Sequence, residues 1–427
     1  MRFYSMLMRL AMRQLRLYSE QPREKRREKV ECNVCGGIPR FCSINLCPFF
    51  RKLLNVERLR EKISRSSIYG PSPPSILVGS YGYPRVRIGA LVAVDREEEV
   101  KEADNPRVWI TRDIEYLLAM RLSLLYGREV KPVSAARAGD KMAENMQELA
   151  MSSKPVYTEL ESDKRPLLRA GFLARTAPFG PVANVLQLKL TENPAVPRKI
   201  DQIAGDYDLR AADAVVELYR SGFTENEITR LMSAGVLGSK IERRLVPTEW
   251  SITAVDDILG KVLRNEVKRY PEMMRYQLHQ AKALYNRVTV ALIPGPWMFE
   301  VLEFWIREDR VKGPYIDAEI PMKKEIYPEN VGGAYHALRL PVLEYLRGVK
   351  RQAAVITVIE IFPGWIPLGV WRFRELARRA LQQEPKVFND LEQLVKNLVA
   401  STGRYVEKAL RRSSVLSFLR KQSTLKI

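Results

Sequence analysis

Polar and apolar positions follow two different periods along this chain, and the change of period marks its elements. Arg85, Arg87 and Gly89 alternate with Val86, Ile88 and Ala90, so residues 85–94 predict a half-buried strand. Further strands are predicted at 75–80, 184–190, 287–293 and 353–361. Helical spacing predicts helices over 56–65, 114–126, 142–151, 209–221, 255–270, 271–283, 298–307 and 335–350, then from Trp371 to Leu419. Thr224 and Glu227 form a capping box ahead of Ile228, Leu231 and Met232. The Pro-, Gly- and Ser-rich stretch 66–74 predicts a turn, and His279 and His336 both fall in predicted helices. Strands embedded among longer helices make a mixed α and β protein without a fixed-period repeat.

Composition narrows the partners. Lys and Arg number 70 against 50 Asp and Glu, a net charge of +20, which favours a polyanion such as nucleic acid or an anionic membrane surface. The longest apolar runs, such as 353–361, have the length of strands, well short of the roughly 20 residues a bilayer requires. With only two histidines, a histidine-rich metal site is disfavoured. All four cysteines lie between 32 and 47, a distribution that fits a reducing, cytoplasmic compartment better than a disulfide-stapled secreted chain. Residues 1–19 are basic and free of acids; they predict a short basic helix or extension and resemble a transit peptide only superficially. The run REKRREK at 23–29 is expected to be solvated.

Cys32, Cys35, Cys42 and Cys47 carry the strongest chemical signal. Two cysteines separated by two residues chelate from one tight turn, and four thiolates satisfy a tetrahedral zinc. A structural zinc is therefore the expected cofactor, ahead of an iron–sulfur cluster, redox thiols or plain buried cysteines. A site filled by four protein ligands folds a module and leaves no open position for catalysis. Arg40, Arg51 and Lys52 lie in or beside this module with Phe41, Phe49 and Phe50, a pattern that either tracks a phosphate backbone or packs and solvates the module itself. Residues 211–246 have the spacing of a helix-turn-helix followed by a basic segment with Arg243 and Arg244. Ordinary helical hairpins share that spacing. Asp256 and Asp257 are the candidate acids for metal-dependent chemistry, although a role near a helix start, facing the helix dipole, explains them more simply. No phosphate-binding loop of the P-loop type is present. At the C-terminus, Gln422 followed by Leu425 and Ile427 on a basic tail is similar to the peptide that docks on the polymerase sliding clamp (PCNA).

These features occur together in one family. The chain resembles the archaeal Nre DNA repair proteins in CNVCGGIPRFCSINLCP, SSIYGPSPPSILVGSYGYPRVRIG and PFGPVANVLQLKLTENPAVPRKID. The resemblance continues through SAGVLGSKIERRLVPTEWSITAVDD, GGAYHALRLPVLEYLRGVKRQAAVI and PLGVWRFRE, and so covers nearly everything from Glu31 onward. It implies a role in the DNA damage response in an archaeal cytoplasm, associated with the nucleoid. Cys32, Cys35, Cys42 and Cys47 match the family's zinc ligands, and Gln422, Leu425 and Ile427 its clamp anchors. The aromatic pair that usually follows such an aliphatic anchor is missing, which lowers the expected clamp affinity to about micromolar or weaker.

The expected fold class is α+β: a mixed α/β multidomain protein with an N-terminal four-cysteine zinc knuckle and a helix-rich C-terminal half. The expected parts are a basic extension (1–30), an N-terminal region (31–293) holding the knuckle at 32–47, a C-terminal region (294–412) and a tail (413–427). The expected function is a repair factor that binds DNA and is tethered to the sliding clamp. The alternatives are a metal-dependent repair nuclease using Asp256 and Asp257, and an interaction scaffold that does not touch DNA.

Overall fold

The computed structural model describes residues 59, 61–64, 66–167, 176–307, 310–321 and 327–424. Among these residues the fold is mixed α and β, built on two six-stranded sheets in two compact units. Of the described residues, one unit holds those up to Ile258 together with Ile366–Gly369; the other holds those from Leu259 to Trp365 and from Val370 onward.

The first sheet comprises β1 (Ser67–Ser72), β2 (Ile76–Val78), β3 (Arg85–Ala93), β4 (Leu124–Pro132), β5 (Val156–Ser162) and β6 (Val182–Leu190), in the order β1-β5-β6-β4-β3-β2. Only β4 and β6 run parallel. Val86, Ile88 and Ala90 point inward with no exposed surface, as the alternation in β3 predicts. The opposite face is open only in part: Arg85 on β3, Val130 on β4, Tyr157 on β5 and Lys189 on β6 are exposed, whereas Leu91 and Tyr126, on the same face as Arg85, are buried. Helix α1 (Ile114–Leu122) leads into β4, and α2 (Lys141–Met151) packs on β3 and β6. Asp140 caps α2 by accepting the Ala143 amide at 3.0 Å.

Helices α3 (Arg198–Gly205), α4 (Ala211–Arg220) and α5 (Glu225–Ser233) follow, and α6 (Thr248–Val267) is the helix in which the chain passes from one unit to the other. The predicted capping box is formed: the Thr224 side chain accepts the Glu227 amide while Glu227 accepts the Thr224 amide at 2.8 Å.

In the second unit the sheet order is β10-β9-β11-β8-β7-β12, from β7 (Tyr276–Ala283), β8 (Asn286–Ile293), β9 (Met298–Ile306), β10 (Val311–Glu319), β11 (Ala354–Ile361) and β12 (Lys386–Phe388). All its neighbours are antiparallel except β9 and β11. Helices α7 (Gly333–Gly348) and α8 (Trp371–Leu381) pack together, and α8 lies on β7 and β8. Against the other face lie α9 (Leu391–Ser401), α10 (Arg404–Leu410) and α11 (Ser414–Thr424), whose Leu394, Leu398, Val406, Leu410, Val415 and Leu416 close a core over Leu302, Phe304, Ile356 and Val358. Helices are plentiful in this half, but a sheet is its central layer.

Several predicted elements differ. The predicted helices 271–283 and 298–307 are replaced by strands β7, from Tyr276, and β9, so His279 lies on a strand, buried against the Tyr345 ring. The predicted helix 114–126 stops at Leu122 because β4 starts at Leu124, and part of the predicted turn at 66–74 is strand β1. The basic tail continues as helix through Thr424.

Candidate nucleic-acid interface

A line of basic residues crosses the first unit, and its backbone links can be followed one by one. Arg85 and Arg87 stand on β3, beside Pro132 and Val130 of β4, with Arg128 opposite Gly89 on the same strand pair. Residues two apart share a face, so Arg85, Arg87 and Arg128 project from one side of the sheet. Arg87 lies over the exposed Tyr81 ring at 5.3 Å. Past the end of β4 the Val133 amide donates to the Pro84 carbonyl at 2.9 Å, and the Val133 carbonyl accepts the Leu245 amide at 2.9 Å. That last bond brings residues 239–245 alongside the sheet.

Residues 239–244 form a tight turn. The Glu242 and Arg243 amides both donate to the Ser239 carbonyl, at 2.9 and 3.1 Å, and the Ser239 hydroxyl donates to Glu242 at 3.2 Å. Arg137 donates to the Ile241 carbonyl. Arg243, only 9% exposed, donates from Nε to the Gly238 carbonyl at 2.9 Å and from Nη2 to the Asp206 carbonyl at 3.2 Å. Its guanidinium stacks on Tyr207 at 4.7 Å, and burial lowers its pKa below the usual arginine range. Arg243 therefore holds the turn together, while Lys240 at the surface and half-buried Arg244 flank the turn's apex. The acids nearby are engaged locally: Lys131 bridges Glu129 at 2.7 Å and Asp140 at 2.8 Å, and Asp206 accepts the amides of Asp208 and Leu209.

Gly235 shapes the approach to this turn. Its φ is +73°, and a Cβ there would sit 2.6 Å from both the Ala136 Cβ and the Arg244 carbonyl oxygen. Only glycine fits that backbone without displacing both.

The other residues singled out by sequence fall differently. The two helices of the predicted helix-turn-helix are present as α4 and α5, but α5 is buried along Glu225, Ile228, Thr229, Arg230, Leu231, Met232 and Ser233, so only the basic segment after it, with Lys240 exposed and Arg244 half-buried, is open to a partner. Arg230 binds it into the unit, pairing with Asp104 at 2.7 Å and donating to the Ala150 and Ser152 carbonyls. Asp256 and Asp257 are buried in the middle of α6, and Glu249 is the acid in its first turn, so the dipole explanation does not apply to them. Among the described residues no three His, Cys, Asp or Glu side chains gather as a metal site. Cys32, Cys35, Cys42, Cys47, Arg40, Arg51, Lys52, Leu425, Ile427 and the side chain of Gln422 lie outside the described residues. Among the described residues no helix is long and apolar enough to cross a membrane.

In the second unit a buried polar cluster gathers around Glu319. Glu319 accepts from Trp297 Nε1, from Arg339 at 3.0 Å and from Arg264 at 3.4 Å. Burial pushes the Glu319 carboxyl upward, yet the two guanidinium groups overcome that and hold it below its ordinary range.

Arg85, Arg87, Arg128, Arg137 and Tyr207 are not marked as site residues by the sequence, whereas Lys240 falls in the basic segment after the predicted helix pair. Alternation in β3 announced the outward direction of Arg85 and Arg87, but only strand pairing brings Arg128 beside them.

Residues 41–309 match the archaeal Nre N-terminal domain and residues 319–427 the archaeal Nre C-terminal domain. The chain belongs to the archaeal Nre family. It is 35% identical to the DNA repair protein NreB of Archaeoglobus fulgidus, across 89% of this chain and 96% of that one. The DNA repair protein NreA of the same organism is 36% identical, across 85% and 91%. NreA of Haloferax volcanii is 35% identical, across 77% and 81%. No solved structure matches the chain.

Proposed function

We propose that this chain is a DNA repair factor that binds DNA along its basic band and is tethered to the sliding clamp by Gln422, Leu425 and Ile427. The observation that carries the repair role is the similarity, over nearly their whole length, to relatives named DNA repair proteins. The net charge of +20 and the projection of Arg85, Arg87, Arg128, Lys240 and Arg244 from one unit support the DNA contact. A short peptide on the clamp raises the local concentration of the DNA-binding unit without adding contacts to it. Four thiolates in the spacing of Cys32, Cys35, Cys42 and Cys47 support a structural zinc, whose chemistry is to fold the module that Arg40, Arg51 and Lys52 flank.

The two halves of the proposal separate experimentally. Deleting 422–427 is expected to remove clamp binding and leave duplex binding intact. The triple variant Arg87→Gln, Arg128→Gln, Lys240→Gln is expected to weaken duplex binding and leave clamp binding intact. Clamp binding that survives the deletion overturns the tether, and duplex binding that survives the triple change overturns the band.

A further inference from the structure

One apolar side chain in the basic band lacks any packing reason for its position. Ile241 is 80% exposed at the apex of the 239–244 turn, between Lys240 and Glu242. An isolated exposed isoleucine is ordinary on a protein surface. This one differs because the backbone on both sides of it is fixed by four hydrogen bonds to three anchors. The Lys240 amide donates to the Tyr207 carbonyl at 2.9 Å, Arg137 donates to the Ile241 carbonyl itself, and the Glu242 and Arg243 amides close the turn onto Ser239. Tyr207 is in turn pinned beneath Lys240 and Arg243, at 5.5 and 4.7 Å. The result is a rigid apolar tip rather than a frayed loop.

Charge around the tip selects the partner. Arg137, Lys240, Arg243 and Arg244 surround it, and the one carboxylate on the turn, Glu242, accepts the Ser239 hydroxyl. A protein partner would need an acidic surface with an apolar pit. DNA supplies both features at a weakened base step, with phosphates on either side of an apolar gap between stacked bases. We propose that Ile241 is a wedge that inserts between adjacent base pairs at a nick, mismatch or fork junction, while Arg137, Lys240 and Arg244 hold the flanking phosphates. Such insertion costs unstacking energy, which is least where a step is already broken, so the wedge makes damaged or branched DNA the preferred substrate over intact duplex.

The proposal rests on the DNA-binding reading, and the experiment keeps the two apart. Full-length protein is titrated into intact duplex and into nicked and forked duplexes carrying 2-aminopurine at the weakened step. Wild type is expected to raise the 2-aminopurine fluorescence several-fold at saturation, reporting unstacking. Ile241→Ala is expected to lose that rise while its affinity for intact duplex stays within about twofold of wild type, since the phosphate contacts are untouched. Ile241→Leu, which keeps the apolar volume, is expected to restore the rise. Because the side chain is exposed, an unchanged melting temperature shows that the alanine variant is folded. A rise that persists in Ile241→Ala overturns the wedge, as does wild-type binding without any rise, and in both cases DNA binding itself stands. Absence of binding to every duplex at low salt overturns the wedge and the DNA-binding reading together.

Discussion

Arginine does two different jobs in this molecule, and burial tells them apart. Arg243 and Arg339 are enclosed, at 9% and 1% exposure, and organise the residues around them; Arg85 and Arg137 stand in solvent. A one-letter sequence shows the same R at each position, which is why the pair Arg243 and Arg244 drew attention there and Arg137 did not. The buried class makes a sharp prediction through Glu319. Replacing it in Glu319→Gln removes the carboxylate shared by Arg264 and Arg339, and is expected to cost roughly 3 kcal/mol in chemical denaturation at neutral pH. The pH dependence has a definite sign. The folded-state value of Glu319 lies below its ordinary value of 4.5, so its contribution is present above that pH and is lost as pH falls through the folded value. The stability gap between wild type and Glu319→Gln should therefore shrink in acid; a gap that stays constant down to pH 3 contradicts the ion cluster.

Elements were legible wherever one signal sufficed. The alternation of β3, the apolar spacing of α2 and α7, and the apolar runs of β8 and β11 all stand close to where they are predicted. The capping box of α5 also formed, and Thr224→Ala is expected to lower stability by about 1 kcal/mol, read from the denaturation midpoint. No loss would mean that tertiary packing alone fixes the start of that helix. The failures have identifiable causes. Strands β7 and β8 are joined by Leu284 and Tyr285, with φ of +49° and +58°, a primed turn made without the Asn or Gly that announces one. In β9, Glu300 and Glu303 are three apart, a spacing that would place them on one side of the predicted helix. On a strand they face opposite ways: Glu300 is buried, accepting the Ser413 hydroxyl and the Ser414 amide, and half-buried Glu303 accepts Trp305 Nε1 at 2.7 Å. No local pattern announces that compensation, because Ser413 is remote in the chain.

At the scale of the whole molecule, membership of the archaeal Nre family and a charge of +20 support the proposed DNA contact, and the first unit carries the basic band that the proposal uses. That place was half visible in the sequence. Arg243 and Arg244 marked the turn, yet the band exists only because β3 pairs with β4 and because Leu245 bonds to Val133. Phosphate neutralisation by this band would show in the duplex dissociation constant measured across a salt series. For wild type the logarithm of affinity should fall linearly with the logarithm of salt concentration. Each lost phosphate contact lowers that slope by about 0.9, so the triple Arg87→Gln, Arg128→Gln, Lys240→Gln variant should show a slope shallower by roughly 2 to 3. Equal slopes for the two proteins, or no wild-type binding at low salt, would contradict the account.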